Sequence, residues 1–241
     1  MAQKPLVSPH LYSRPPVLAI CTPIASRTTH QYTLSVRSAY KPAQKHPDTG
    51  EKLPGETHLL DVVGMPIVLA RQALTASALA TVPNLTHILW VDDDMCFQPD
   101  AIWRLLNHDL PIVGGLCHNR RPPSYQPILL KKFSEERRKD RGAEYGFIYD
   151  YPKGSLLPVD ATGAAFLLVK REVFDHMDGQ EWWTPRGNVW EDISFCERAR
   201  DAGFPAYVDT SLDIGHVGEC MVDSAFAVRN RTQRFLDAGQ E

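Results

Sequence analysis

His87-Ile88-Leu89-Trp90-Val91-Asp92-Asp93-Asp94-Met95 decides how the rest of this chain is read. An apolar run of strand length passes straight into three consecutive carboxylates. Ile, Leu, Trp and Val suit a buried strand, and Pro99 with Asp100 opens the next helix. In open α/β sheets, ligands bind just beyond the carboxyl ends of the strands. Three adjacent acids at such a place repel one another unless something positive sits among them, and a divalent cation is the obvious candidate. The plainer reading is a polar strand end whose carboxylates cap the following helix. It leaves that repulsion uncompensated, so the stretch predicts a metal-dependent site.

The surrounding chain sets the class. Its 241 residues suffice for one large domain or two small ones with a real core. An apolar fraction of 43% and a charged fraction of 23% are ordinary for a soluble globular protein. A net charge of −3 gives no global attraction to nucleic acid or membrane, so any such affinity must be local. The five cysteines, Cys21, Cys96, Cys117, Cys196 and Cys220, are odd in number and contain no C-x-x-C. That pattern argues against a disulfide framework or a structural zinc site and for a reducing compartment. Apolar runs are short, with Arg71 interrupting one and Lys170-Arg171 another, and the N-terminus is rich in proline. The expectation is a soluble, cytoplasmic protein without membrane insertion.

In order, residues 1–16 read as a loose arm. Val17–Cys21 is a strand stopped by Thr22-Pro23, and Thr29–Tyr40 a helix. Residues 41–56 read as an exposed loop, Leu59–Val63 as a second strand, and Pro66 opens a helix through about residue 80. After the acidic strand come a helix at Pro99–Asn107 and a strand at Leu110–Leu116, whose Gly114-Gly115 permits close backbone approach. Ile128–Phe133 and Tyr145–Tyr151 read as strands around a charged turn or short helix. Ala164–Val169 is another strand, Glu191–Ala202 a helix ended by Gly203, and Ala206–Val208 a short strand. Residues 17–217 form one domain, and 218–241 read as a helical tail. The class is α/β: a mixed, mostly parallel sheet flanked by helices, with a small antiparallel addition.

Two further groups carry chemistry. Trp190-Glu191-Asp192 begins a helix, where acids are favoured by the helix dipole whatever their function. The functional reading is a general base, preceded by aromatics (Trp182, Trp183, Trp190) able to stack on a sugar ring. His216 follows Asp213 on a short apolar segment; an imidazole joining a carboxylate suits manganese. Rival strand-end chemistries fail. Haloacid-dehalogenase-type phosphatases need Thr or Val two places past Asp-x-Asp, and here Met95-Cys96 follows. A nucleotidyltransferase needs a glycine-rich basic loop after its first strand, which Ala25-Ser26-Arg27 does not match.

In this order, Asp92-Asp93-Asp94 after a buried strand, Thr162-Gly163-Ala164-Ala165-Phe166, Glu191-Asp192 and His216 resemble the GT-A fold glycosyltransferases, especially compact family-two-like members. The resemblance runs from about Val17 to Val217. Arg71, in Ala70-Arg71-Gln72-Ala73-Leu74, stands where such enzymes often carry an Arg-Asn-x-Leu helix start near the nucleotide, with Gln72 in place of the Asn. Asp61 lies inside its predicted strand and is not assigned the base-contacting role.

What the resemblance implies is a transferase that moves a sugar from a nucleotide-sugar donor, UDP-linked by preference, to an acceptor hydroxyl. Mn2+ or Mg2+ would be held by Asp94 with His216 and, indirectly, Asp92. Thr22, Pro23, Arg71, Asp92, Asp93, Gly114 and Gly115 would contact the donor. Asp192 would be the catalytic base with Glu191 behind it, inverting by direct displacement, although a retaining mechanism with the same parts stays open. Gly163, Ala164, Trp182, Trp183, Trp190, Arg120 and Arg121 would face the acceptor. Lys131 to Arg141 holds six basic residues against three acids. That is either a solvated face or a contact for phosphates. The chain also resembles small bacteriophage transferases, some of which glycosylate hydroxymethylated DNA bases, which implies DNA as an acceptor. The competing class is a non-catalytic sugar- or nucleic-acid-binding module on a degenerate transferase fold.

Overall fold

The computed structural model describes residues 16–40, 56–120 and 125–218. Most of the expected arm and of the 41–56 loop, Arg121, and the tail beyond residue 218 lie outside them. The elements in order are β1 (Leu18–Ile24), α1 (His30–Tyr40), β2 (Thr57–Val63), α2 (Ile67–Thr81), β3 (His87–Val91) and β4 (Met95–Cys96). Next come α3 (Ala101–Asn107), β5 (Ile112–Leu116), β6 (Leu129–Lys132), α4 (Glu135–Arg141), β7 (Tyr145–Phe147) and β8 (Leu156–Val159). The chain continues with β9 (Ala161–Thr162), β10 (Phe166–Lys170), α5 (Arg171–His176), α6 (Glu191–Asp201), β11 (Ala206–Asp213) and β12 (Gly215–His216).

Among the described residues a seven-stranded sheet runs β2-β1-β3-β10-β5-β11-β8. β1 is parallel to β2 and β3, and β11 is parallel to β5. β10 opposes both β3 and β5, and β8 opposes β11. The mostly parallel sheet flanked by helices is as expected. Its main antiparallel strand, however, lies in the middle of the sheet. Two small antiparallel sheets, β7-β6-β9 and β12-β4, complete the antiparallel part.

Strand alternation explains why both faces are covered. Ala19, Cys21, Ile88, Trp90, Leu167 and Val169 point to one core with Leu74 and Ala78 of α2, Phe174 of α5 and Phe195 of α6. Leu18, Ile20, Leu89, Val91, Phe166 and Leu168 point to the other, against Tyr32 and Val36 of α1 and Ile102, Leu105 and Leu106 of α3. β3 is buried at all five positions. Each large apolar side chain so buried stabilises the fold by about 1.5–3 kcal/mol relative to exposure. α2 buries Ala70, Leu74 and Ala78, four residues apart, and Pro66 precedes its first residue. Among the described residues, Cys21, Cys96, Cys117 and Cys196 are free thiols.

Some elements escaped the pattern. Leu156-Leu157-Pro158-Val159, to which the sequence pattern assigns no element, forms β8 at the edge of the sheet, where the missing N–H of Pro158 is tolerated. Pro23 does not stop β1, which continues to Ile24. Pairing with β3 ends at Cys21–Trp90, while Pro23 stays in register with Val62 of β2. Tyr145–Tyr151 yields only three strand residues, and β11 is much longer than its predicted core. The charged segment before β7 is a short helix, begun by Ser134 and ended by Gly142 at φ 62.

β11 also carries a buried carboxylate. Asp209 accepts from His108 Nε2 at 3.0 Å and from Ser211 N at 2.8 Å, with Arg104 at 3.8 Å. Burial alone would raise its pKa, but the hydrogen bonds from His108 and Ser211 outweigh that and bring it to about 2 from 3.8. A depressed carboxylate stabilises the fold above its unfolded pKa and loses that contribution as pH falls from about 4 towards 2. Asp209→Asn is therefore expected to cost about 1–2 kcal/mol at pH 7 in urea denaturation, with the gap to the parent protein closing near pH 2.

Candidate active site

Beyond Val91 the chain turns sharply, with Met95 N donating to the Asp92 carbonyl at 3.1 Å, and β4 then pairs with β12. This turn sends the three acids to three different partners. Asp92 Oδ1 accepts from Arg71 Nη2 at 2.9 Å. Asp93 Oδ2 accepts from Ala25 N at 3.0 Å, and its carbonyl from Thr29 N at 2.9 Å. Asp94 Oδ2 lies 2.8 Å from Arg120 Nη1 and 3.4 Å from His216 Nε2. The charge compensation expected of a metal alone is thus supplied in part by two arginines of the chain itself. Burial raises the pKa of Asp92 against the opposing pull of Arg71, and burial likewise raises Asp93. At Asp94 the burial penalty is outweighed by the His216 hydrogen bond and by Arg120, and its pKa falls.

Arg71 is the hub. It projects from α2 at 2% exposure and also reaches Glu191 Oε1 at 3.4 Å and the Ala164 carbonyl at 3.3 Å. Its guanidinium lies 5.4 Å from the ring centres of both Trp90 and Trp183. One cation therefore joins the turn after β3, the β9–β10 connection and the start of α6, held between two aromatic rings. Gln72, beside it, bonds the Gln180 carbonyl and accepts from Trp183 N, fastening the segment that carries Trp182 and Trp183.

At the start of α6, Glu191 faces Arg71 while Asp192 bonds Ile193 N through Oδ1 at 2.8 Å. A methyl group on Gly163 would sit 3.5 Å from Asp192 Oδ2, so the glycine leaves space in front of that oxygen. Burial, aided by the neighbouring charge of Glu191 and opposed by Arg71, raises Asp192 to about 6. A largely buried carboxyl raised to about 6, with open space before one oxygen, is able to take up a proton near neutral pH.

His216 pairs with Met95 across β12–β4, which brings it to Asp94 from more than a hundred residues away. Its Nδ1 donates to the His118 carbonyl at 2.8 Å, so Nε2 is the nitrogen turned towards Asp94. An imidazole oriented through its other nitrogen in this way is arranged as metal ligands commonly are. Among the described residues no three His, Cys, Asp or Glu side chains converge as a cluster. The donor set still fits a hard divalent ion of the kind held by one or two protein ligands, with substrate phosphates and water completing the shell.

A cavity of about 370 Å³ opens beside this end of the sheet, between β1, α1 and β2. Thr22, Tyr32, Val36, Arg37, Leu59 and Asp61 are among the residues around it. Thr22 Oγ1 and the Tyr32 hydroxyl lie 2.7 Å apart, and burial, with Asp61 and Asp93 nearby, raises the Tyr32 pKa. Asp61 is the residue sequence reasoning passed over. It is level with Thr22 in the parallel register, and the alternation of Leu59, Asp61 and Val63 along β2 was the signal that could have placed it here.

Several predicted site residues lie elsewhere. Gly114 and Gly115 are buried within β5; a methyl group on Gly115 would sit 2.5 Å from Ile214 Cγ1, and one on Gly114 3.1 Å from the Phe166 carbonyl. The close approach they permit is to the protein's own core. Trp183 is fully buried, stacked on Phe195 at 4.3 Å and bonded to Thr75 Oγ1, and Trp182 is buried beside Phe174. Neither has a free face for a sugar. Ala164 is buried and contributes its carbonyl to Arg71. Trp190, at 72% exposure and adjacent to Glu191, is the tryptophan of the three that stands in solvent. On the basic stretch, Lys131 pairs with Asp160, Lys132 with Glu197 and Arg138 with Glu135, while Arg137 lies over Phe133. Those pairings favour the solvated-face reading.

No protein-family model matches the sequence, and no curated protein matches it. Solved structures match its fold. A197 from STIV aligns over 85% of this chain and 86% of its own, at 13% identity and a TM-score of 0.52. GalNAc-T7, solved with UDP, GalNAc and Mn2+, aligns over 86% of this chain and 44% of its own, at 10% identity and a TM-score of 0.52. The fold is GT-A. At such low identity the likeness speaks to architecture, and the chain spans less than half of GalNAc-T7. Among the described residues no helix is long and apolar enough to cross a membrane.

Proposed function

We propose that this GT-A chain is a metal-dependent glycosyltransferase acting on a nucleotide-sugar donor. The observation that carries the reading is the convergence, on the turn after β3, of the Asp94–His216 pair and the Arg71-linked Asp92, Glu191 and neighbouring Asp192. The fold it shares with GalNAc-T7, whose structure contains UDP and Mn2+, supports the same reading. The alternative of a non-catalytic binding module is less favoured, because it gives no task to the space that Gly163 leaves in front of Asp192 Oδ2.

Each residue has a chemical task in this scheme. The nucleoside enters the cavity beside Thr22 and Asp61, where a carboxylate accepts from base or ribose donors and the apolar wall covers the ring. Asp94 and His216 Nε2 would hold Mn2+ or Mg2+, and a bound divalent ion would neutralise charge growing on the departing diphosphate. Asp92, with Oδ1 committed to Arg71, would offer its second oxygen to a ribose hydroxyl of the donor. Asp93 keeps the Ala25–Thr29 loop at the donor's edge. Arg71 and Glu191 position Asp92 and α6. Asp192 takes the acceptor hydroxyl proton, and transfer by single displacement inverts the anomeric centre. Trp190 offers its exposed ring to the acceptor.

A thermal-shift and turnover panel of nucleotide sugars tests this directly. Manganese alone is expected to shift the melting temperature little, since its protein donors are two. Manganese with UDP is expected to shift it by several degrees, with slow UDP-sugar hydrolysis in the absence of acceptor. A panel with no nucleotide-dependent shift and no turnover sinks the proposal.

A further inference from the structure

The oxygen of Asp94 that faces His216 is already occupied. Arg120, on the segment after β5, places Nη1 2.8 Å from Asp94 Oδ2 and donates from the same nitrogen to the Val217 carbonyl at 2.9 Å. Val217 N in turn donates to the Asp94 carbonyl at 2.8 Å, and a methyl group on Gly218 would lie 3.4 Å from Arg120 Cδ. The Arg120 side chain is about half exposed at 52%, whereas that of Asp94 is 13% exposed. The guanidinium therefore comes in from the solvent side, over the carboxylate. A divalent ion held by Asp94 and His216 would compete with Arg120 for this carboxylate, because two cations on it repel each other.

We propose that Arg120 is a resident counter-ion of Asp94 that is exchanged for the metal–diphosphate. In the absence of donor it satisfies the half-buried carboxylate and ties the segment after β5 to β12. When the metal and diphosphate arrive, Arg120 leaves Asp94, and its planar fork re-seats on diphosphate oxygens, a geometry guanidinium serves well. The pair Arg120–Asp94 thus makes metal binding depend on the nucleotide, because the phosphate supplies the new partner that the displaced arginine requires. This inference rests on the proposed function and adds to it a role for Arg120 towards the diphosphate, distinct from the acceptor contact expected of that residue.

The test measures Mn2+ affinity by electron paramagnetic resonance without nucleotide, and UDP affinity by calorimetry at saturating Mn2+. An ion pair with one exposed partner contributes up to about 1 kcal/mol, a factor of about 5. Arg120→Ala is expected to bind Mn2+ alone about fivefold more tightly and UDP about fivefold or more weakly. A general loss of folding would weaken both. Arg120→Lys keeps the charge and removes the fork, so it separates the seat on Asp94 from the mere electric field, and values between parent and Arg120→Ala are expected. An Arg120→Ala protein with unchanged or weaker Mn2+ binding, or unchanged UDP binding, overturns the proposal, as does Arg120→Lys with parental affinities. Failure of the parent protein itself to bind UDP with Mn2+ would instead count against the proposed function.

Discussion

Asp192→Asn is expected to reduce sugar transfer by about 10²–10⁴-fold, the usual contribution of a positioned general base, while making the protein more stable at pH 8. The two effects share one cause. Burial and the adjacent Glu191 hold the Asp192 carboxyl near pKa 6, against 3.8 for a free aspartate. The folded protein keeps this proton more tightly than the unfolded chain, so the group favours folding below pH 3.8 and that contribution is lost as pH rises through 6. At pH 8 the parent protein bears the full cost of a buried, repelled carboxylate, on the order of 1–3 kcal/mol. Asparagine keeps the shape and the acceptor for Ile193 N without the charge. Urea denaturation should separate the two proteins at pH 8 and bring them together at about pH 4. The activity of the parent should show an acid limb near pH 6, since the base works only when ionised. Activity within tenfold of the parent, or equal stability at pH 8, would remove Asp192 from this role.

The strand-then-acids grammar at 87–95 was readable because β3 is buried on both faces, which forces an unbroken apolar run, and because acids at its end must be charge-compensated somewhere. Sequence could not say by what. The partners come from α2, from the segment after β5 and from β12, and only the parallel and antiparallel registers bring Arg71, Arg120 and His216 to one turn. That Gly114-Gly115, Trp182 and Trp183 face the protein's own core was hidden for a related reason. A Gly-Gly pair reports that something approaches the backbone closely, and a Trp that a large flat surface is covered. Neither says whether the neighbour is a ligand or Ile214 and Phe195. Arg71 was the reverse case. A lone arginine inside an apolar helix interrupts its pattern, and such an interruption is costly unless several partners wait for it in the interior.

Those partners make Arg71→Met the substitution with the largest expected effect on the fold. Methionine fills the slot between Trp90 and Trp183, so the packing loss is modest, but it removes the cation shared by Asp92 and Glu191. A buried acid stripped of its partner costs about 3–5 kcal/mol, and for a domain of this size that lowers the melting temperature by roughly 10 °C. If the cost is unpaired charge rather than lost contact, Glu191→Gln in the Arg71→Met background should regain part of it, and Asp92→Asn together with Glu191→Gln should regain most. In the parent background, Glu191→Gln alone leaves Arg71 with Asp92 and the Ala164 carbonyl and should be milder. A cycle in which these effects simply add would mean that Arg71 acts by packing. The expected non-additivity would identify it as the electrostatic joint that holds Asp92 and the start of α6 at one fixed separation, the condition the proposed transfer sets for handling a proton and a leaving group at the same moment.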